Sequence, residues 1–307
     1  MRKIQTLQPV HPLFDNPRVK AAIPKPENIW NLDEIPHDRQ EAWDWLISQM
    51  SVCEKCLLSK TRNKVVLPDG NLSASVMVVL QNPAVNEDLT GIPLTGAMEL
   101  RASDCGRCTK VERCYSGRLL KNEKDFPKRA IPVVCNPDLQ KDPLLARNFF
   151  LRTTGTIVDG ILVEAFGMDQ PRLNWVKEYN RNNPNAALPD TSPWLFTNTI
   201  SCRPTDEERV KDLPEITVPK AQCKPWLILQ WVILQPKVII TLGQESLTAF
   251  ISNNQEKSQI FVNEPYESKW GTILFNTHPA SIMRDPVKES KGLSYAKLAE
   301  TFKLSLL

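Results

Sequence analysis

Four short apolar runs, separated by longer amphipathic or polar stretches, set the plan of this chain. Val76-Met77-Val78-Val79, Trp194-Leu195-Phe196, Val238-Ile239-Ile240 and Ile273-Leu274-Phe275 are too short for buried helices and read as buried strands. Their expected bounds are 76–82, 194–200, 237–243 and 272–277. Between them the period changes. Residues 37–50, around Ala42-Trp43-Asp44-Trp45-Leu46-Ile47, predict an amphipathic helix that runs into Cys53 and Cys56. Residues 154–167 place Ile157, Ile161, Leu162 and Ala165 at helical spacing. A further helix is predicted over about 219–234, beginning at Pro219, carrying Cys223 in its first turns and stopped by Pro236. Gln244-Glu245-Ser246-Leu247 opens another. Strands alternating with helices predict an α/β fold, a three-layer αβα sandwich around a central, mainly parallel four-stranded sheet.

The stretches outside this alternation are of three kinds. Residues 1–36 are rich in Pro and predict an extended arm, leaving 37–307 as the α/β domain. Residues 99–150 are polar, rich in Lys and Arg, and carry cysteines, which predicts an inserted metal-binding segment. Residues 169–193 hold several Asn and Pro and predict a long loop.

Composition adds little until the cysteines are counted. The chain has 307 residues, 41% hydrophobic and 24% charged, ordinary for a globular protein. A net charge of +3 neither demands nor excludes nucleic acid. No window approaches the ~20 apolar residues of a membrane span. The opening Met1-Arg2-Lys3-Ile4-Gln5-Thr6 has no apolar core, so no secretory signal is expected and the cytoplasm is the predicted compartment. Eight cysteines in such a chain argue against a disulfide framework. Cys53-x2-Cys56 and Cys105-x2-Cys108-x5-Cys114 instead have metal-ligand spacing, with Cys135, Cys202 and Cys223 further on. Buried free thiols are the alternative. With only His11, His37 and His278 present, a metal site must lean on Cys.

Two loops carry the candidate chemistry. Leu80-Gln81-Asn82-Pro83-Ala84 and Thr277-His278-Pro279-Ala280-Ser281 each follow a predicted strand. Loops leaving the carboxyl ends of parallel strands converge on one crevice. An Asn that orients a water would there face a His that donates to a developing anion, a pairing suited to hydrolysis. The structural alternatives are a turn cap for Asn82, which precedes Pro83, and a packing role for His278.

Five collinear segments resemble the uracil-DNA glycosylase superfamily, and its iron–sulfur branch (family 4) most. Cys53-Glu54-Lys55-Cys56, with Leu58, Arg62 and Val65-Val66, resembles the opening cluster motif of that branch. Gln81-Asn82-Pro83 with Glu87-Asp88 resembles the water-activating motif, and Gly91-Ile92-Pro93-Leu94 with Gly96 the base-stacking loop. Thr197-Asn198-Thr199-Ile200-Ser201-Cys202-Arg203-Pro204 resembles the base-reading strand. Cys223, the strand after Pro236 and His278-Pro279-Ala280 complete the order.

The resemblance implies a monofunctional DNA glycosylase that leaves an abasic site. It implies Asn82 and His278 as catalytic residues, with Gln81, Leu94 and Asn198 at the base. It implies Ala280, Ser281, Ile282, Met283 and Arg284 on the DNA, Ile282 and Met283 as wedges into the gap left by the extruded base and Arg284 on a phosphate. Inward packing of the apolar pair is the alternative. Cys53, Cys56, Cys202 and Cys223 would ligate one [4Fe–4S] cluster of mainly structural role. Cys105, Cys108, Cys114 and Cys135 have no counterpart in the family, and suit zinc or a second iron–sulfur cluster. DNA is the implied partner, and a monomer suffices for this chemistry.

Three positions depart from the family pattern. Leu80 and Ala84 stand where glycines are usual, and Leu94 where an aromatic ring stacks on the base. Losing that ring removes about 1–3 kcal/mol of stacking and leaves room for a bulkier base. The expected substrate is therefore a modified pyrimidine, such as a hypermodified base of viral DNA, in antiviral defence or viral DNA metabolism. Uracil excision in base-excision repair is one alternative, and a catalytically weak nucleic-acid-binding module on the same fold is another.

Overall fold

The computed structural model describes residues 11–70, 72–84, 87–88, 91–94, 154–155, 157–158, 161–162, 193–204, 213–284 and 288–307, with the side chains of 213–217, 283–284 and 288–292 excepted. The expected insertion at 99–150, its four cysteines, all of the expected loop at 169–193 but its last residue, Gly96 and the first ten residues lie outside that set. Among the described residues the helices are α1 (Pro17–Ala22), α2 (Arg39–Ser51), α3 (Leu213–Leu234), α4 (Gln244–Phe250), α5 (Asn254–Lys257), α6 (Ala280–Arg284) and α7 (Lys288–Leu304). The strands are β1 (Val76–Leu80), β2 (Trp194–Asn198), β3 (Val238–Leu242), β4 (Tyr266–Ser268) and β5 (Gly271–Asn276).

The strands form one sheet in the order β2-β1-β3-β5-β4. Four of them are parallel, and β4 runs antiparallel to β5 at the edge. The expected four-stranded sheet thus gains a fifth strand. Its three residues, centred on Glu267 and preceded by Pro265, offer no apolar run to read. A short, charged edge strand is also one that resists pairing with another chain.

Every residue of β1 and β2 is buried, because helices cover both faces. Met77, Val79, Leu195, Ile239 and Ile273 point to one layer, where Leu46 and Met50 of α2 and Leu229 and Val232 of α3 pack on them. Val76, Val78, Leu80, Phe196, Ile240 and Leu242 point to the other, against Ile157, Ile161, Leu298 and Phe302. The three-layer sandwich follows from this alternation.

Two expectations need correction. Residues 11–36 are a string of short helical turns and α1, not an extended strap. Leu13, Phe14, Val19, Ile23 and Ile35 bury into the first layer, and a Pro begins each of three of the helical turns. Helix α3 starts at Leu213, six residues before Pro219, so that Pro219 and Pro225 both lie inside it. Its far end is capped by Arg39, whose Nε donates to the Ile233 carbonyl at 2.7 Å and whose Nη2 donates to the carbonyls of Leu234 and Leu72. A guanidinium there satisfies carbonyls that the helix leaves open.

Candidate active site and cysteine recess

The carboxyl ends of β1, β2, β3 and β5 lie at one edge of the sheet, and the loops leaving them build the site. Register places Asn198 beside Leu80 at the ends of β2 and β1, and Asn276 beside Leu242 at the ends of β5 and β3. Thr199 and Ile200 then donate to the carbonyls of Leu80 and Gln81, at 2.8 and 3.1 Å, which carries the pairing past the strands.

Asn82 leaves β1 half-buried, with Nδ2 donating to the Pro83 carbonyl at 3.0 Å. That contact leaves Oδ1 as the atom suited to accept from a water. The loop beyond is braced by its carboxylates. Glu87 accepts from the backbone N–H of Ala84 and of Leu94, and Asp88 from the N–H and side-chain amide of Asn63. Gln81 is exposed.

His278 leaves β5, and β3 stands between β5 and β1, so the two loops are not on neighbouring strands. Gly243, at the tip of β3, closes part of this separation. A Cβ at Gly243 would lie 3.2 Å from the His278 Cβ, and the residue's φ of +97° also favours glycine. His278 therefore sits against the strand that faces β1. Its Nδ1 accepts from the Ala280 N–H at 3.2 Å, which puts the ring proton on Nε2 and makes that atom the donor. The loop is pinned from below by Asn276. Its Nδ2 donates to the Lys297 carbonyl and Thr301 Oγ1, and its Oδ1 accepts from the Thr277 N–H.

Asn198 is the opposite case. It is 1% exposed, yet neither Nδ2 nor Oδ1 has a partner among the described residues. It shares its face with Leu80, and Leu94 packs in the apolar layer on that face. Leu94 itself is buried and held at φ +54°, a strained conformation for a branched side chain.

The expected DNA loop, 280–284, is helix α6. Ser281 is exposed and its Oγ donates to the His278 carbonyl, while Ala280 is half-buried. Ile282 is 6% exposed and packs in the second layer with Leu80 and Phe302, the inward packing that was the alternative to a wedge. Apolar burial wins there because the side chain falls on the inner face of α6. The side chains of Met283 and Arg284 lie outside the described set. Sequence reading missed Gly243 and Asn276. The available signals were a Gly between a strand and a helix and an Asn ending an apolar run.

Cys53, Cys56, Cys202 and Cys223, separated by up to 170 positions, line one recess. Burial pushes the Cys202 thiol up to about 11 and the Cys223 thiol to about 12, and the other cysteines of the recess push in the same direction. Arg62 opposes this at Cys202, with Nη1 donating to Sγ at 3.5 Å. Among the described residues no three His, Cys, Asp or Glu side chains close tightly enough for a single metal ion. The recess is joined to the crevice, since Val66 donates to the Ser201 carbonyl at 2.7 Å and Leu67 to that of Gly91 at 3.2 Å.

A family model, that of the uracil DNA glycosylase superfamily, matches residues 67–302. The span takes in the whole sheet with Asn82, Asn198 and His278, and begins after Cys53 and Cys56. No curated protein matches the chain at a significant level.

Proposed function

Because the chain belongs to the uracil DNA glycosylase superfamily, whose members act on DNA as glycosylases, we propose that it hydrolyses the N-glycosidic bond of a flipped-out, modified pyrimidine. The observation that carries this reading is the Asn198 amide, buried beside the β1 tip with both polar atoms unpartnered among the described residues. Such a group is costly unless a ligand completes it, and a pyrimidine edge offers the matching donor and acceptor.

In this mechanism the target nucleotide leaves the stack and its edge pairs with Asn198. Asn82 Oδ1 orients a water toward the anomeric carbon. His278 Nε2–H donates to the base oxygen on which charge develops as the bond breaks. An amide is a poor base, so the reaction leans on stabilising the departing base more than on activating the water. Leu94 stands in place of the ring that would stack on the base, and the lack of that ring favours a bulkier base. Ala280, Ser281, Met283 and Arg284 face the DNA in this reading.

The same reading gives Cys53, Cys56, Cys202 and Cys223 a [4Fe–4S] cluster. The donor set supports it: four thiols border one recess. When bound, the cluster supplies a crosslink between the segment after α2, the end of β2 and α3. Cys105, Cys108, Cys114 and Cys135 are proposed to hold zinc or a second cluster, and the protein to act as a monomer in the cytoplasm.

Duplexes bearing uracil, a thymine mismatch, 5-hydroxymethylcytosine or its glucosylated form test the substrate. Abasic sites are expected at the positions of the modified bases. Clean abasic-site formation from uracil alone overturns the modified-base reading, and none from any duplex overturns hydrolysis.

A further inference from the structure

We propose that Arg62 and Trp226 donate N–H hydrogen bonds to sulfur in the recess, and so set the reduction potential and the retention of the cluster held there. This rests on the cluster assigned under Proposed function. Both residues line the recess with the four cysteines. Arg62 already donates to Cys202 Sγ.

Trp226 supplies the independent observation. It is 7% exposed, and its Nε1 has no partner among the described residues. Three other buried indoles are bonded: Trp231 donates to the Trp270 carbonyl and Trp270 to that of Phe250, each at 2.9 Å, and Trp194 to Ser305 Oγ at 3.3 Å. The Trp30 indole N–H is likewise without an acceptor among the described residues, but Trp30 does not line the recess. A buried donor without an acceptor is rare in a native protein. Sulfur in the recess completes it. The Lys55 ammonium sits 4.0 Å from the centre of the Trp226 ring, which fixes the indole and adds a second cation beside the site.

A cube of iron and sulfide on four thiolates is an anion, and reduction adds one more electron. Donors and cations at its sulfurs stabilise the reduced form more than the oxidised one, and raise the potential. Trp226→Phe removes one N–H and keeps the ring beneath Lys55. Arg62→Gln removes a donor together with its charge.

The test uses full-length protein purified without oxygen, assayed for iron and titrated with redox mediators while the visible and paramagnetic-resonance signals are followed. At a fixed poise the ratio of reduced to oxidised cluster is expected to fall roughly fivefold in Trp226→Phe, the worth of one hydrogen bond, and further in Arg62→Gln. A variant that keeps its circular dichroism but loads less iron supports the same role, since partners of metal ligands typically change affinity by about 10–100-fold. Iron-loaded variants with unchanged potential and unchanged iron affinity overturn the inference and leave the cluster standing. Absence of iron from the wild-type protein overturns the cluster itself.

Discussion

Replacing Asn198 by Leu should make the protein more stable and nearly inactive. The side chain is 1% exposed and its amide has no partner among the described residues. An uncompensated buried amide costs about 1–3 kcal/mol by mutational measure. Leu has a similar size, and its neighbours on that face, Leu80 and Phe196, are apolar. The free protein should therefore gain about 1–3 kcal/mol. For a domain this large each kcal/mol moves Tm by about 2–4 °C, so a rise of roughly 2–12 °C is expected. Over the same change kcat/KM should fall by about 10³ or more, because a site built to hydrogen-bond its substrate discriminates steeply when that bond is lost. Asn276→Leu is the control. Its Nδ2 donates to Lys297 O and Thr301 Oγ1 and its Oδ1 accepts from Thr277, so its loss should cost about 3–5 kcal/mol. Calorimetry without DNA and single-turnover excision read the two quantities. If Asn198→Leu destabilises as Asn276→Leu does, its amide is satisfied within the protein and the base-reading role fails.

Three further outcomes follow from named contacts. Gly243→Ala puts a Cβ 3.2 Å from the His278 Cβ at a φ of +97°; the single-turnover rate should drop by about 10–100-fold with DNA affinity unchanged, and an unchanged rate would detach His278 from the chemistry. In metal-free protein, burial raises Cys202 to about 11 and Cys223 to about 12 from 9.0. A raised native pKa gives stability that is full below pH 9 and lost as pH climbs through 11 and 12, on the order of 3 kcal/mol per thiol; alkaline melts of metal-free and metal-loaded protein should diverge there, and coincident melts would contradict ligation by these thiols. Arg39→Met removes donors to the carbonyls of Ile233, Leu234 and Leu72, which should cost about 2–4 kcal/mol in urea unfolding; a loss under 0.5 kcal/mol would show the cap to be replaceable by water.

The parallel core was legible because burial on both faces writes itself as an unbroken apolar run, as in Val76–Leu80 and Val238-Ile239-Ile240. What escaped was structure without such a run. Strand β4 is held by its pairing with β5 and by a turn in which Ser268 Oγ accepts from Trp270 N and donates to the Gly271 carbonyl. The turns of 11–36 escaped because Pro at the start of a helical turn looks, in sequence, like Pro in an extended strap. Their apolar residues, Leu13, Phe14, Val19 and Ile23, sit on successive short turns with no common period.

The site divides along the same line. Asn82, Asn198 and His278 were legible because polar residues at strand tips stand out against the apolar runs before them. Their roles were not, since Asn198 and Asn276 end strands in the same way. Only the bonding separates them: Asn276 is tied to α7 and its own loop, and Asn198 is tied to nothing described. A polar residue buried and satisfied stabilises the fold by itself. One buried and unsatisfied lowers stability until a ligand arrives, so an Asn that shares its face with Leu80 and Phe196 calls for a ligand that offsets the deficit. Ile282 makes the converse point, because a side chain that could have met DNA gains more from the apolar layer with Leu80 and Phe302. The crevice thus joins one amide that the core leaves unsatisfied, that of Asn198, to the two braced loops that carry Asn82 and His278.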